Sequence, residues 1–215
     1  MKGQPTRAAP PSHALSASLR LLMVASVIVA LAGAVVRCRA TPSWRQLTIR
    51  ESFEYGLGEW ESGADVPQDG DQPGQSVEWS IDLVAEPSSE GKAAVRYFLD
   101  GKHDDGTIWL TRSFQVRGNQ AYRVRLSFDL WSQSESFNTL AKVAAYAGPR
   151  RPVGEGSFDL AQAADQAAGW RRYAYEMNVL SGADGKVWVA FGISVVWETK
   201  VTYLVDNVLI EIKAQ

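Results

Sequence analysis

The sequence predicts an all-β, antiparallel β-sandwich, and three observations carry that expectation. Apolar residues recur at every second position over many short segments, and turn-forming Gly, Asp, Ser and Pro separate those segments. No stretch of useful length shows a helical period. Many short strands, with no helices to cover a parallel sheet, stack as a sandwich or close as a barrel.

The chain opens differently from its body. Residues 1–40 contain no Asp or Glu but carry Lys2, Arg7, Arg20, Arg37 and Arg39, and an uncharged, mostly apolar run extends from Leu21 to Val36. A basic start, a short apolar stretch and then the small residue Ala40 is the layout of a secretory signal peptide. The sixteen-residue run spans only ~24 Å as a helix, less than a hydrocarbon core of ~30 Å. That length favours a cleaved signal. The alternative is a single-pass anchor helix with bilayer thinning, its Arg37 and Arg39 snorkelling to the interface. Lipid attachment at Cys38 is disfavoured, because Arg37 stands where a small residue is needed. Residues 41–215 then form one domain, secreted or held at the cell surface, with membrane contact only through the N-terminal segment.

Removal of residues 1–40 takes five of the 22 basic residues and leaves 17 against all 24 acidic ones, a formal net charge of −7. An acidic domain with no basic stripe along its sequence is a poor nucleic-acid ligand. Residues 41–215 also contain no cysteine, so the domain needs a core large enough to stand without disulfides, which its length provides.

Within the body, QLTIRESF, VEWSIDLV and AAVRYFL read as the first strands. TIWLTRSFQV places Ile108, Leu110, Phe114 and Val116 on one side, interrupted by Arg112. The clearest alternation is AYRVRLSFDLW, with Tyr122, Val124, Leu126, Phe128 and Leu130 facing one way and Arg123, Arg125, Ser127, Asp129 and Trp131 the other. LAKVAAYA and RRYAYEMNV follow. KVWVAFGISVVW is apolar on both sides and reads as a central strand, and VTYLVDNVLIEI closes the chain. That makes about nine strands. AQAADQAA (161–168) reads as one or two helical turns on a loop.

Several of these segments together resemble the jelly-roll carbohydrate-binding modules of the galactose-binding-like superfamily. ESFEYGLGEW is similar to the first block of such modules, GKAAVRYFL to the second, the Tyr122–Trp131 strand to a Y-x-V-x-F segment, and YLVDNVLIEI to the closing strand. The resemblance implies a jelly-roll sandwich and a glycan partner. It also implies a structural Ca²⁺ where the first and last strands meet, with Glu54 and Asp206 in the matching places. Read from the residues alone, Glu54 caps a turn and Asp206 bonds local backbone.

Catalysis finds little support. His103, in GKHDDG, is the one histidine after residue 40, so neither a Cys–His pair nor a His/Cys zinc cluster can form. Glycoside hydrolysis needs only two carboxylates, but the nearest set, Glu78, Asp82 and Glu86, is spaced by four rather than on alternate positions. No catalytic residue is assigned.

Tryptophan stands out instead, with eight in the chain, all beyond residue 40. Trp60, Trp79 and Trp197 lie where alternation or motif position points to burial. Trp109 and Trp131 fall on the face opposite their strand's apolar row, and Trp188 alternates with Ala190, Gly192 and Ser194. A Trp beside small neighbours on a sheet face makes a platform for a sugar's C–H face, and Arg123, Arg125 and Asp129 beside Trp131 can hold its hydroxyls. The competing possibility is that loops such as 149–169 cover these side chains. The expectation is therefore a non-catalytic glycan-binding module using Trp109, Arg123, Arg125, Asp129, Trp131 and Trp188. The rival is a structural or adhesive domain binding a cell-surface protein, and a glycosidase comes third.

Overall fold

The computed structural model describes residues 46–215, so the export segment, Cys38 and the Ala40 cleavage position lie outside the described residues. Those residues contain eleven strands: β1 Gln46–Glu51, β2 Glu61–Asp65, β3 Trp79–Val84, β4 Ala94–Asp100, β5 Thr107–Gln115, β6 Ala121–Ser132, β7 Ala141–Gly148, β8 Asp159–Ala163, β9 Gly169–Leu180, β10 Lys186–Val195 and β11 Lys200–Ala214. The only helical element among them is a single 3₁₀ turn, Glu155–Ser157. All pairings are antiparallel, in a six-stranded sheet ordered β3-β4-β11-β6-β9 with β1 also on β11, and a five-stranded sheet ordered β2-β5-β10-β7-β8. The expected two-sheet sandwich is present.

Period-two patterning decides which face of each strand enters the core. On β6, Tyr122, Val124, Leu126, Phe128 and Leu130 are all buried, as the alternation requires. They meet Val187, Val189, Phe191, Ile193 and Val195 of β10 from the opposing sheet in one cluster. Phe128 sits 5.3 Å from Phe191, and Trp60 packs edge-on against the same ring at 4.9 Å. Burying each such side chain contributes roughly 1.5–3 kcal/mol. Tyr97, fully buried, donates its hydroxyl to the Phe191 carbonyl at 3.2 Å, so the one polar atom that β4 sends into the core is satisfied.

The long closing strand organises the six-stranded sheet. One flank of β11 pairs with β4 over 200–205 and then with β1 over 208–213, while the other flank pairs with β6 over 203–206 and 209–214. The β4 and β1 partners leave a join on that flank, and there β11 carries an irregularity in register between Asp206 and Leu209. Asn207 lies within it at φ 50°, a left-handed conformation that Asn tolerates better than most residues. Such bulges turn side chains and end pairings beside functional surfaces.

Three expectations are corrected. The sequence reading missed β2 and β8, whose ESGAD and DLAQA lack an apolar row because both are edge strands of the five-stranded sheet. AQAADQAA makes no helical turn: Ala161–Ala163 complete β8, and the turn to β9 follows. Trp60 is buried and Trp79 packs at the core's margin as expected, but Trp197 is 54% exposed on the turn between β10 and β11. Its position after Val195 takes it past the end of the strand, where alternation no longer dictates direction.

Candidate functional site

The six residues expected to bind ligand divide between two faces on opposite sides of the sandwich. Trp109 and Trp188 lie on the outer face of the five-stranded sheet, and Arg123, Arg125, Asp129 and Trp131 on that of the six-stranded sheet.

The first face is covered. Residues 149–158 leave β7, cross the sheet as far as β2 and return to β8. Arg151 pairs with Glu61 at 2.8 Å, and the Glu155 amide donates to Asp65 at 2.9 Å. The Ser194 hydroxyl donates to the Glu155 carboxylate at 2.6 Å. Beneath this strap lies a floor of small residues, with Ala144, Ala190, Thr107, Thr111 and Ser194 all buried. Trp109 lies in that floor at 3% exposure, with Phe158 5.1 Å above it. Its indole runs flat across Gly63, where any Cβ would fall inside the ring. The open-platform expectation for Trp109 is thus corrected: it lies on the face opposite its strand's apolar row, but residues 149–158 of the same chain cover it. Trp188, opposite Ser113 and Gly148 at the margin of the strap, keeps partial exposure.

On the second face the register brings together a set that the sequence reading saw only in part. Trp131 of β6 stands directly opposite Trp170 of β9 and, on its other side, opposite Leu204 of β11. Leu204 is buried and both tryptophans are partly exposed, so an apolar strip three strands wide crosses the outer face of this sheet. The next cross-strand level holds Asp206, Asp129 and Arg172. Arg172 reaches the Asp129 carboxylate at 3.1 Å, the Ser127 hydroxyl at 2.8 Å and the Asn207 carbonyl at 2.6 Å. Asp129 also accepts from the Asn207 side-chain amide at 3.0 Å and from the Ser89 hydroxyl. The bulge thus aims both polar ends of Asn207 at this network, and the polar groups beside the aromatic strip are held in place before any ligand arrives.

Trp170 and Arg172 were missed, although GWRRYAYEMNV carried the signal. Tyr173 and Tyr175 fix the inward parity of β9, which turns 170, 172, 174 and 176 outward. Farther along this face, Arg123 and Arg125 share Glu176 at 3.4 and 2.8 Å. A cavity of about 140 Å³ lies between Gln46, Arg123, Arg125, Glu211 and Lys213.

Glu54 and Asp206 meet the 85–93 loop between β3 and β4 at the join on β11. Asp206, fully buried, accepts the Ser89 and Glu90 amides at 2.9 and 2.8 Å on one oxygen and the Asn207 amide at 2.6 Å on the other. Glu54 accepts the Lys92 and Ala93 amides at 2.7 and 3.0 Å. Burial raises the Asp206 carboxyl above the usual aspartate range, and nearby Asp129 adds to the rise, against the pull of the three amides. A calcium ion takes six to eight oxygen ligands, whereas these carboxylates face amide hydrogens. Among the described residues no group of three or more His, Cys, Asp or Glu side chains is placed to hold a metal. The residues present do not fit a calcium ion here, and hydrogen bonds make the join.

The residues considered for catalysis are dispersed. His103 is exposed and accepts the Gly70 amide at 3.4 Å, and Asp82 is paired with Arg96 at 2.8 Å.

No protein-family model and no curated protein matches this chain. Among solved structures it is similar to the CBM22-1 xylan-binding domain from Paenibacillus barcinonensis, at 16% identity over 78% of this chain and 94% of that one, TM-score 0.47. It is also similar to TmCBM27, a carbohydrate-binding module that recognises mannan, at 15% identity over 78% and 98%, TM-score 0.49. A third is the K3 cleaved adhesin domain of Lys-gingipain from Porphyromonas gingivalis, at 16% identity over 77% and 98%, TM-score 0.46. At these scores they are likenesses of outline, and none assigns a ligand to this chain.

Proposed function

We propose that this protein is an exported, non-catalytic module that binds carbohydrate on the outer face of its six-stranded sheet. The observation that carries the reading is the Leu204–Trp131–Trp170 strip lying beside the fixed Asp129–Arg172–Asn207 network. A sugar ring has an apolar C–H face and a rim of hydroxyls. An indole pair accepts the first, and preset donors and acceptors accept the second at little ordering cost. Asp129 supplies acceptors, and Arg172 and Asn207 supply donors, all on one side of the strip. Export rests on the basic and apolar N-terminal segment, and fractionation of the producing cells tests it: the mature domain belongs outside the cytoplasm.

Affinity electrophoresis of the purified chain through gels containing xylan, mannan or galactan tests the binding. The wild type is expected to be retarded by at least one polymer and to release no reducing ends from it. Trp131→Ala and Trp170→Ala should each weaken binding by about thirtyfold, the effect of losing roughly 2 kcal/mol at a central aromatic contact. Trp131→Ala should remain folded, because that side chain lies on the outer face and packs outside the core cluster. Retardation that survives both substitutions would move the ligand off this face.

A second reading has its own observation. Phe137 is fully exposed on the loop between β6 and β7, and Trp197 is exposed on the turn after β10. These two loops meet where the Val196 amide donates to the Leu140 carbonyl at 3.0 Å. Paired exposed aromatics at one end of a sandwich suit a protein partner. Phe137→Ser with Trp197→Ser leaves polysaccharide retardation intact if the sheet face is the glycan site, and abolishes it if the loop end is.

A further inference from the structure

We propose that the ligand is an acidic polysaccharide, whose uronate carboxylate is held in the cleft between Gln46, Arg123, Arg125, Glu211 and Lys213. The inference rests on the glycan reading above and names the class of glycan.

The charge distribution runs against the chain's average. Residues 41–215 carry a formal net charge of −7, yet the register gathers cations on the outer face of the six-stranded sheet. Arg50 of β1, Arg123 and Arg125 of β6 and Lys213 of β11 lie within three cross-strand levels of one another, against Glu176 and Glu211. Glu176 is shared by Arg123 and Arg125, so one carboxylate serves two guanidinium groups. Among the described residues, Arg50 and Lys213 make no ion pair within 4 Å. The cleft itself presents three cations and one acid around about 140 Å³, room for a carboxylate and the edge of its ring. Guanidinium forks match a carboxylate's two oxygens, and an ammonium adds a rotating donor.

The cleft and the aromatic strip are two ends of one track. Arg125 and Trp131 are six positions apart on β6, roughly 20 Å at the rise of an extended strand. A polymer several sugars long is needed to occupy both. The positive patch also directs a polyanion to the face that carries the tryptophans, although the rest of the acidic surface repels it. Arg50, the Arg123–Arg125 pair and Lys213 lie far apart in the sequence. The patch exists because three strands are paired in this register.

The test uses polymers that differ only in charge: polygalacturonate against its methyl ester, and dextran sulfate against dextran. The full chain is expected to be retarded by polygalacturonate far more than by the ester, with retardation falling as salt shortens the screening length below ~10 Å. Arg123→Gln with Lys213→Gln should weaken that retardation about tenfold. Arg151→Gln with Lys186→Gln, which changes net charge equally but lies on the other sheet's side, should not. Retardation by dextran sulfate but not polygalacturonate, lost in the first pair and kept in the second, retains the anion cleft and replaces the carboxylate by sulfate. Equal retardation by charged and neutral polymers, or equal loss in both variant pairs, overturns the proposal and leaves the glycan reading standing. If no polymer of either kind retards the wild type, the glycan reading fails and this one with it.

Discussion

Replacing Asp206 with alanine is expected to destabilise the domain by about 3–5 kcal/mol, since a buried donor stripped of its acceptor costs ~1–3 kcal/mol. The carboxylate is fully buried and takes three backbone amides, two from the 85–93 loop and one from the bulge in β11. Alanine leaves all three unpaired at once, and the Ser89 and Glu90 amides recover water only if the loop lifts. For a domain of this size the loss corresponds to a fall in Tm of roughly 10 °C. Glu54→Ala should cost less, because its two amide partners sit where solvent can replace the carboxylate. Both effects are expected to be the same with calcium and with a chelator present, measured by thermal unfolding. A Tm that falls on chelation in the wild type and not in Asp206→Ala would place an ion at the join after all.

The same side chain gives a pH dependence. Burial places the folded Asp206 carboxyl above its unfolded value, so the native state binds this proton more tightly than the unfolded chain does. Its share of stability is largest below the unfolded value of ~3.9 and declines as pH rises through the raised folded value. The difference in urea midpoint between the wild type and Asp206→Asn should therefore shift against the wild type as pH rises across that interval. A shift in the opposite direction would mean that the three amides outweigh burial.

The fold was legible where a strand has one wet face and one dry one. AYRVRLSFDLW and RRYAYEMNV alternate because each lies in a sheet packed on one side only, and the parity of every residue follows. Strands β2 and β8 were not legible, since edge strands beneath a strap or beside a turn need no apolar row. The same limit explains Trp109. Alternation placed it correctly on the outer face, but only the path of residues 149–158 shows that this face is covered, and that path is set by the contacts of Arg151, Glu155 and Phe158 with distant strands. The candidate site was half-visible. Asp129 and Trp131 were found from one strand, whereas Trp170, Arg172, Asn207 and Lys213 join them through pairings that no single segment encodes. Read from the residues alone, Glu54 caps a turn and Asp206 bonds local backbone. The local part holds for the Asn207 amide, whereas the other amides come from the distant 85–93 loop, which no single segment encodes.

Trp109→Ala is expected to destabilise the domain by about 3–5 kcal/mol, the usual cost of truncating a buried large aromatic, while leaving carbohydrate retention unchanged wherever the protein is folded. The ring fills the space over Gly63 and is the surface on which Phe158 rests. Removing it opens a cavity under residues 149–158 and takes away the ring contact that supplements the ties made by Arg151, Glu155 and Tyr146. Limited proteolysis should therefore cut Trp109→Ala within 149–158 at temperatures where the wild type resists. Phe158→Ala should show the same cut with a smaller loss of stability. The contrast with Trp131→Ala is the decisive one: a stable protein whose binding is weakened, beside an unstable one whose binding is intact. Should Trp109→Ala instead keep its Tm and lose retention, the strap would be a lid over the true binding face. The six-stranded sheet would then be only a charged exterior.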